Sequence, residues 1–172
     1  MRKTLIALAA LFTAGLAHAG GSLSLHGITL GRDLPPACTV STYTPCVLES
    51  NRTYGALRMY TVGGLAPIGS GNLDDAIEAK VGVDANGKIR AVVTLLGPTM
   101  EEFERAHENL VLRYGNPTVD GGFFGEWDFQ DTTLEVYSPA RNVNVVFLFD
   151  DAVAGDALTM IHDNAPNEME GL

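Results

Sequence analysis

Between Pro98 and Pro117 every local signal agrees on one helix, and that helix limits what the rest of the chain can build around it. Thr99 is a capping residue, and Glu102 three positions on completes a capping box. Gly115 supplies a left-handed stop, and Pro117 forbids continuation. At roughly 100° per residue, Met100, Phe103, Ala106, His107, Leu110, Val111 and Tyr114 fall on one apolar stripe. Glu101, Glu102, Glu104, Arg105, Glu108 and Arg113 fall opposite. Glu101 precedes Arg105 by one turn, the favourable order for an ion pair, and the acidic first turn complements the helix dipole. One amphipathic helix among strand-like segments needs a sheet to cover.

The strands are read from alternation. Ile77, Ala79, Val81 and Val83 alternate with Glu78, Lys80 and Gly82. Asp84-Ala85-Asn86-Gly87 then turns the chain, and Lys88 to Leu96 returns it with Ile89, Ala91, Val93 and Leu95 on one side. Ala56 to Val62 is strand-like, and residues 20–56 before it read as irregular. After a Gly121-Gly122 loop come strands at Phe124–Gln130, Thr133–Tyr137 and Val143–Phe149, with Leu158–His162 as an edge strand. The expectation is an α+β fold: an antiparallel sheet of about five to six strands with one main helix, about residues 99–114, on one face. The other face carries Arg90, Val92, Thr94, Glu135, Tyr137, Asn144, Val146 and Leu148. That mixture is covered by the N-terminal segment or left open for a partner.

The start of the chain is read as a cleavable signal peptide. Arg2 and Lys3 precede an apolar run from Leu5 to Leu16, and Ala17-His18-Ala19 fits a small-residue cleavage site, placing the cut after Ala19. The run is too short for a membrane span, and no later stretch is long and apolar enough. The division is residues 1–19 signal, 20–163 one domain, and 164–172 a disordered tail without pattern. Basic residues number 11 and acidic ones 21; without Arg2 and Lys3 the balance is 9 against 21, a formal charge of −12. That excess disfavours nucleic acid and anionic lipid, and steers a cationic partner inward. Cys38 and Cys46 are the two cysteines, and in an exported chain they are expected to pair. Their spacing is not that of a redox motif.

Chemistry is harder to find. His107 lies in the helix stripe, but Phe103 and Val111 occupy the positions one turn away, so the helix offers no histidine pair for a metal. His26 and His162 belong to no recognisable motif. Ser70 lies in Gly69-Ser70-Gly71, but Ile68 and Asn72 break the glycine spacing of a nucleophile elbow, and Asp74 stands where a dinucleotide loop needs its third glycine. Asp84-x-Asn86-Gly87 resembles a fragment of a calcium loop, but a hairpin turn explains it better. Asp74-Asp75, Asp128 with Asp131, and Asp150-Asp151 with Asp156 are the densest acidic groups, and the last is a candidate for weak calcium binding. No catalytic residue, metal ligand or cofactor is assigned. Asn51-Arg52-Thr53 matches a glycosylation acceptor that matters only in a eukaryotic secretory pathway.

The helix ending Leu112-Arg113-Tyr114-Gly115-Asn116-Pro117-Thr118, followed by a strand with Trp127 and one with Leu134, resembles small exported bacterial domains of unknown function. In those, a leader, a hairpin, a helix ending Tyr-Gly-x-Pro and a tryptophan-bearing strand follow one another. The resemblance spans residues 77–149 and implies a periplasmic location without transferable catalytic residues. The functional expectation is therefore an exported, periplasmic or secreted, acidic protein that acts by binding, with a cationic protein as its partner. Its candidate surfaces are the disulfide loop at Tyr43 and the sheet face at Val92, Tyr137 and Val146. The alternatives are a small carboxylate-dependent enzyme, with or without calcium, and a structural component of the envelope.

Overall fold

A computed structural model describes residues 23–38, 46–48, 52–63, 76–140 and 143–164. The expected signal peptide, Tyr43, Asn51, Ser70, Asp74-Asp75 and the tail beyond residue 164 lie outside them. The fold is mixed α and β. The strands are β1 (Ser24–Leu25), β2 (Ile28–Thr29), β3 (Cys46–Leu48), β4 (Thr53–Tyr54), β5 (Leu57–Gly63), β6 (Ala76–Val83), β7 (Ile89–Leu96), β8 (Val119–Gly121), β9 (Phe124–Asp128), β10 (Thr132–Ala140) and β11 (Val143–Asp150). Helix α1 (Met100–Tyr114) follows β7, and α2 (Ala154–Asn164) follows β11. Nine strands form one antiparallel sheet in the order β3-β5-β6-β7-β11-β10-β9-β8, with β4 beside β5. It is two meanders, β5-β6-β7 and β8-β9-β10-β11, joined at the centre where β7 pairs with β11.

The sheet is larger than the five to six strands expected, because β3, β4 and β8 span only two or three residues. Runs that short carry no measurable alternation. One of them, β4, depends on turn geometry. Gly55, at φ +55°, opens the two-residue turn from β4 to β5, and a Cβ there would lie 2.0 Å from the Asp156 carboxylate, which accepts the Ala56 N–H. The separate hairpin β1–β2 turns through His26 and Gly27, both at positive φ as a type I′ turn requires.

Helix α1 forms where the sequence placed it. Thr99 accepts the Glu102 N–H, and the Glu102 carboxylate accepts from the Thr99 N–H at 2.9 Å, so both halves of the capping box are present. Glu101 and Arg105 approach to 4.0 Å. Asn144 of β11, itself buried, donates to the carbonyls of Gly97 (2.7 Å) and Thr99 (2.8 Å), and so fixes the helix start to the sheet centre.

The second helix corrects the edge strand expected at Leu158–His162. Ala157, Met160 and Ile161 are buried at helical spacing, which a five-residue apolar run does not distinguish from a strand. Asp150 starts this segment by accepting the Ala152 N–H. Both sheet faces are therefore covered, one by α1 with the β1–β2 hairpin and the other by α2. Gly82 makes room on the α2 side, where a Cβ would meet Leu57 at 3.0 Å and Met160 sulfur at 3.3 Å.

The residues grouped on one face divide between the two. Val92, Thr94, Asn144, Val146 and Leu148 lie on the α1 side, while Glu135 and Tyr137 lie on the α2 side. A register shift at Gly82–Val83 brings Ile89 and Val92 into one core, which breaks the simple alternation along β7. Arg90 binds Asp84 (2.9 Å) and Asp150 (2.6 Å), tying the β6–β7 turn to the end of β11. The N–H of Lys88, and then Arg90, hold the Asp84 carboxyl below the usual carboxylate range.

Candidate functional site

The chain leaves α1 at Gly115, whose φ of +85° lets it reverse, and returns through β8 and β9 beside the helix. Gly122 and Phe123 make the turn between these two strands. On β9, Gly125 faces the helix and has no side chain for a physical reason: a Cβ would sit 2.8 Å from the His107 ring. Its absence lets His107 lie between Phe103 and Trp127, with centroid distances of 6.1 and 5.6 Å. Trp127 is buried, and its indole N–H donates to the Gly115 carbonyl at 2.8 Å, locking the helix end to the strand.

Between α1 and the hairpin tip opens a cleft of about 320 Å³, lined by Met100, Phe103, Glu104, His107, Glu108, Asp120, Gly121 and Gly122. Its lining holds three carboxylates and no lysine or arginine. Nε2 of His107 is buried without a hydrogen-bond partner, 3.4 Å from Asp120 Oδ1 but not aligned to bond with it. Of the lining residues Met100 keeps 39% of its surface exposed, and in the adjoining β8–β9 turn Phe123, next in the chain to Gly122, keeps 64%. An apolar wall with carboxylates at its rim is suited to a ligand that is greasy along its stem and cationic at its tip.

A second cavity, near 400 Å³, lies at the end of β4–β5 beside Leu34, Tyr60 and Asp84. Its carboxylate is already committed. Asp84 accepts from the N–H groups of Asn86 and Lys88 and from Arg90, an Asx turn rather than a calcium loop.

Of the surface residues singled out from sequence, Tyr43 lies outside the described residues, and Val92 and Val146 lie on the opposite sheet face from Tyr137. Val92 and Val146 are fully buried under α1 and offer no surface, which corrects the expectation of an open face there. Helix α1 and the β1–β2 hairpin, which pack on that face, are the physical reason. Tyr137 is partly buried on the other face, where burial and then Glu135 push its phenol up to about 12. Cys38 and Cys46 form the expected disulfide. The calcium candidates each have separate work: Asp150 binds Arg90 and caps Ala152, Asp151 accepts the Thr133 hydroxyl, and Asp156 accepts the Ala56 N–H. Among the described residues no three His, Cys, Asp or Glu side chains are grouped to hold a metal.

The cleft was missed because Asp120 to Phe123 read only as a glycine-rich loop. Two local signs pointed to it, a histidine inside an apolar stripe and a glycine in a strand interior between Phe124 and Trp127.

Elsewhere, Glu126 and Glu135 stand directly opposite on β9 and β10. Burial, and then Glu126, raise the Glu135 carboxyl above its ordinary range. A carboxyl raised in the folded state adds stability at low pH that is lost as pH rises through its folded value. Glu135→Gln is therefore expected to stabilise the protein at neutral pH by roughly 0.2–1 kcal/mol, the size of a like-charge cross-strand pair. The gain should vanish near pH 3.5, below the ordinary glutamate range. Urea midpoints at the two pH values check it; a gain of the same size at both would exclude relief of charge as its cause.

Comparison of the chain with protein-family models, with curated proteins and with solved structures finds no significant match.

Proposed function

We propose that this is an exported, periplasmic or secreted, protein that acts by binding, and that it engages a cationic protein through the cleft between α1 and the β8–β9 hairpin. The observation that carries the reading is the cleft itself, three carboxylates over an apolar wall that includes the exposed Met100, with Phe123 exposed in the adjoining β8–β9 turn. The formal charge of −10 adds long-range attraction for such a partner. The disulfide suits an oxidising compartment, and no helix among the described residues is long and apolar enough to cross a membrane.

The test is affinity capture from the organism's own envelope extract at low and high salt, using the disulfide-intact protein, its Phe123→Ser variant and an unrelated protein of equal charge. A partner retained at high salt by the wild type and lost by Phe123→Ser supports the reading. Equal retention by the variant, or by the unrelated protein, sinks it. A small carboxylate-dependent enzyme is the competing reading, favoured by the facing Glu126–Glu135 pair, in which burial and then Glu126 raise the Glu135 carboxyl. It requires a hydrolytic activity that Glu135→Gln abolishes.

A further inference from the structure

We infer that the cavity at the end of β4–β5 binds a small amphipathic acid, its carboxylate on Arg58 and its apolar stem against Leu34, Tyr60 and Val83. This site is separate from the cleft beside α1 and does not rest on the binding reading above. Pairing across three strands builds it. Thr53 of β4 stands opposite Arg58 of β5, and Arg58 stands opposite Val83 of β6, so the three side chains share one face. Tyr60, two residues beyond Arg58, lies on that face as well. The segment at Leu34 packs over the same face, held where the Leu34 N–H donates to the Gly87 carbonyl. These residues line a cavity near 400 Å³, inside the range of about 300–1,000 Å³ that small-ligand sites occupy.

The polar groups of this cavity are idle. In a chain with 21 acidic residues and 11 basic ones an arginine is easily supplied with a carboxylate, yet Arg58 has no ion pair or side-chain hydrogen bond among the described residues. The hydroxyls of Thr53 and Tyr60 have no hydrogen bond among them either. Among the described residues Asp84 is the one carboxylate in the lining, and it is occupied elsewhere. Its Oδ1 accepts from the N–H groups of Asn86 and Lys88, and its Oδ2 accepts from Arg90. What remains is an unused guanidinium and two hydroxyls beside an apolar wall, an arrangement that fixes the head of an acid and buries its stem. A carboxylate suits it better than a phosphate. One arginine matches a single negative charge, whereas a phosphate monoester carries close to two, in a protein whose formal charge is already −10. The planar guanidinium can grip both carboxylate oxygens at once.

The experiment is a titration of the disulfide-intact protein, followed by backbone amide NMR, with hydrocinnamate, its neutral amide, acetate and phenyl phosphate. Hydrocinnamate is expected to shift the amides of residues 53–60 and 83–87. The amide keeps the stem and loses the charge, while acetate keeps the charge and loses the stem. Each should bind about tenfold more weakly or worse. Phenyl phosphate should bind no more tightly than hydrocinnamate. Arg58→Gln should lose about tenfold in affinity, and Arg58→Lys, which keeps the charge without the fork, should fall between it and the wild type. Arg105→Gln, which removes equal charge on α1, should lose nothing. Shifts centred outside the cavity, equal loss in Arg58→Gln and Arg105→Gln, or an amide or acetate as tight as hydrocinnamate overturns the inference. Tighter binding of phenyl phosphate overturns the carboxylate head, and absence of shifts with every compound overturns the site. The capture with Phe123→Ser judges the cleft beside α1 independently of all these outcomes.

Discussion

Trp127→Ala is expected to cost about 3–5 kcal/mol, as for other buried tryptophans cut to alanine. That is a large part of the roughly 5–15 kcal/mol that holds a domain together. Trp127 supplies two separate things. Its ring fills the core between α1 and the sheet beside His107, and its indole N–H satisfies the Gly115 carbonyl where the helix ends. Trp127→Phe separates them, since it keeps most of the ring and leaves that carbonyl without its donor. The expected loss is then about 1–3 kcal/mol, the cost of a buried polar group left unpaired. Urea unfolding of both variants measures the split. If phenylalanine costs as much as alanine, the indole hydrogen bond is not a small addition to packing but the main contribution.

Loss of the disulfide should be nearly as large. Cys38→Ser with Cys46→Ser is expected to lower stability by about 2.5 kcal/mol, the chain-entropy estimate for a loop this short. The crosslink has a second role. The segment ending at Cys38 runs parallel to β3, where the Val47 N–H donates to Pro36 and the Val47 carbonyl accepts from Cys38. Those bonds cover the outer edge of the sheet, and Gly63 leaves room for the sulfurs, the nearer 3.3 Å from where its Cβ would be. The double variant should therefore also associate with increasing concentration, because an uncovered edge strand pairs with other chains. Unfolding midpoints and light scattering read the two effects. A stability loss with no association would leave the edge cover to its hydrogen bonds alone.

The Trp127 hydrogen bond also explains what was legible. The Tyr-Gly-x-Pro helix stop and the tryptophan-bearing strand are neighbours in sequence, and Trp127 donating to Gly115 is the contact between them. Helix α1 was readable to its ends because its caps are local. The β6–β7 hairpin was readable because Asp84 forms its turn from within. Face assignment failed at β7 and β11, whose residues are buried almost throughout, so that alternation carries no information about which helix lies above. The cleft failed for a different reason. Glu104, His107 and Asp120 meet only because Gly115 reverses the chain and a three-residue strand returns it, and neither event has a periodic signature.

Helix α2 has one more consequence, which concerns time rather than energy. Its Asp156 accepts the Ala56 N–H across 100 positions of chain, and Met160 closes over Gly82. A polypeptide made from its N-terminus has therefore finished every strand of the sheet before the cover for Leu57, Met59, Phe147 and Phe149 exists. For that interval an apolar sheet face is bare, the condition in which nascent chains aggregate or recruit chaperones. Chains that stop short of residue 154 lack this cover and keep that face bare for good.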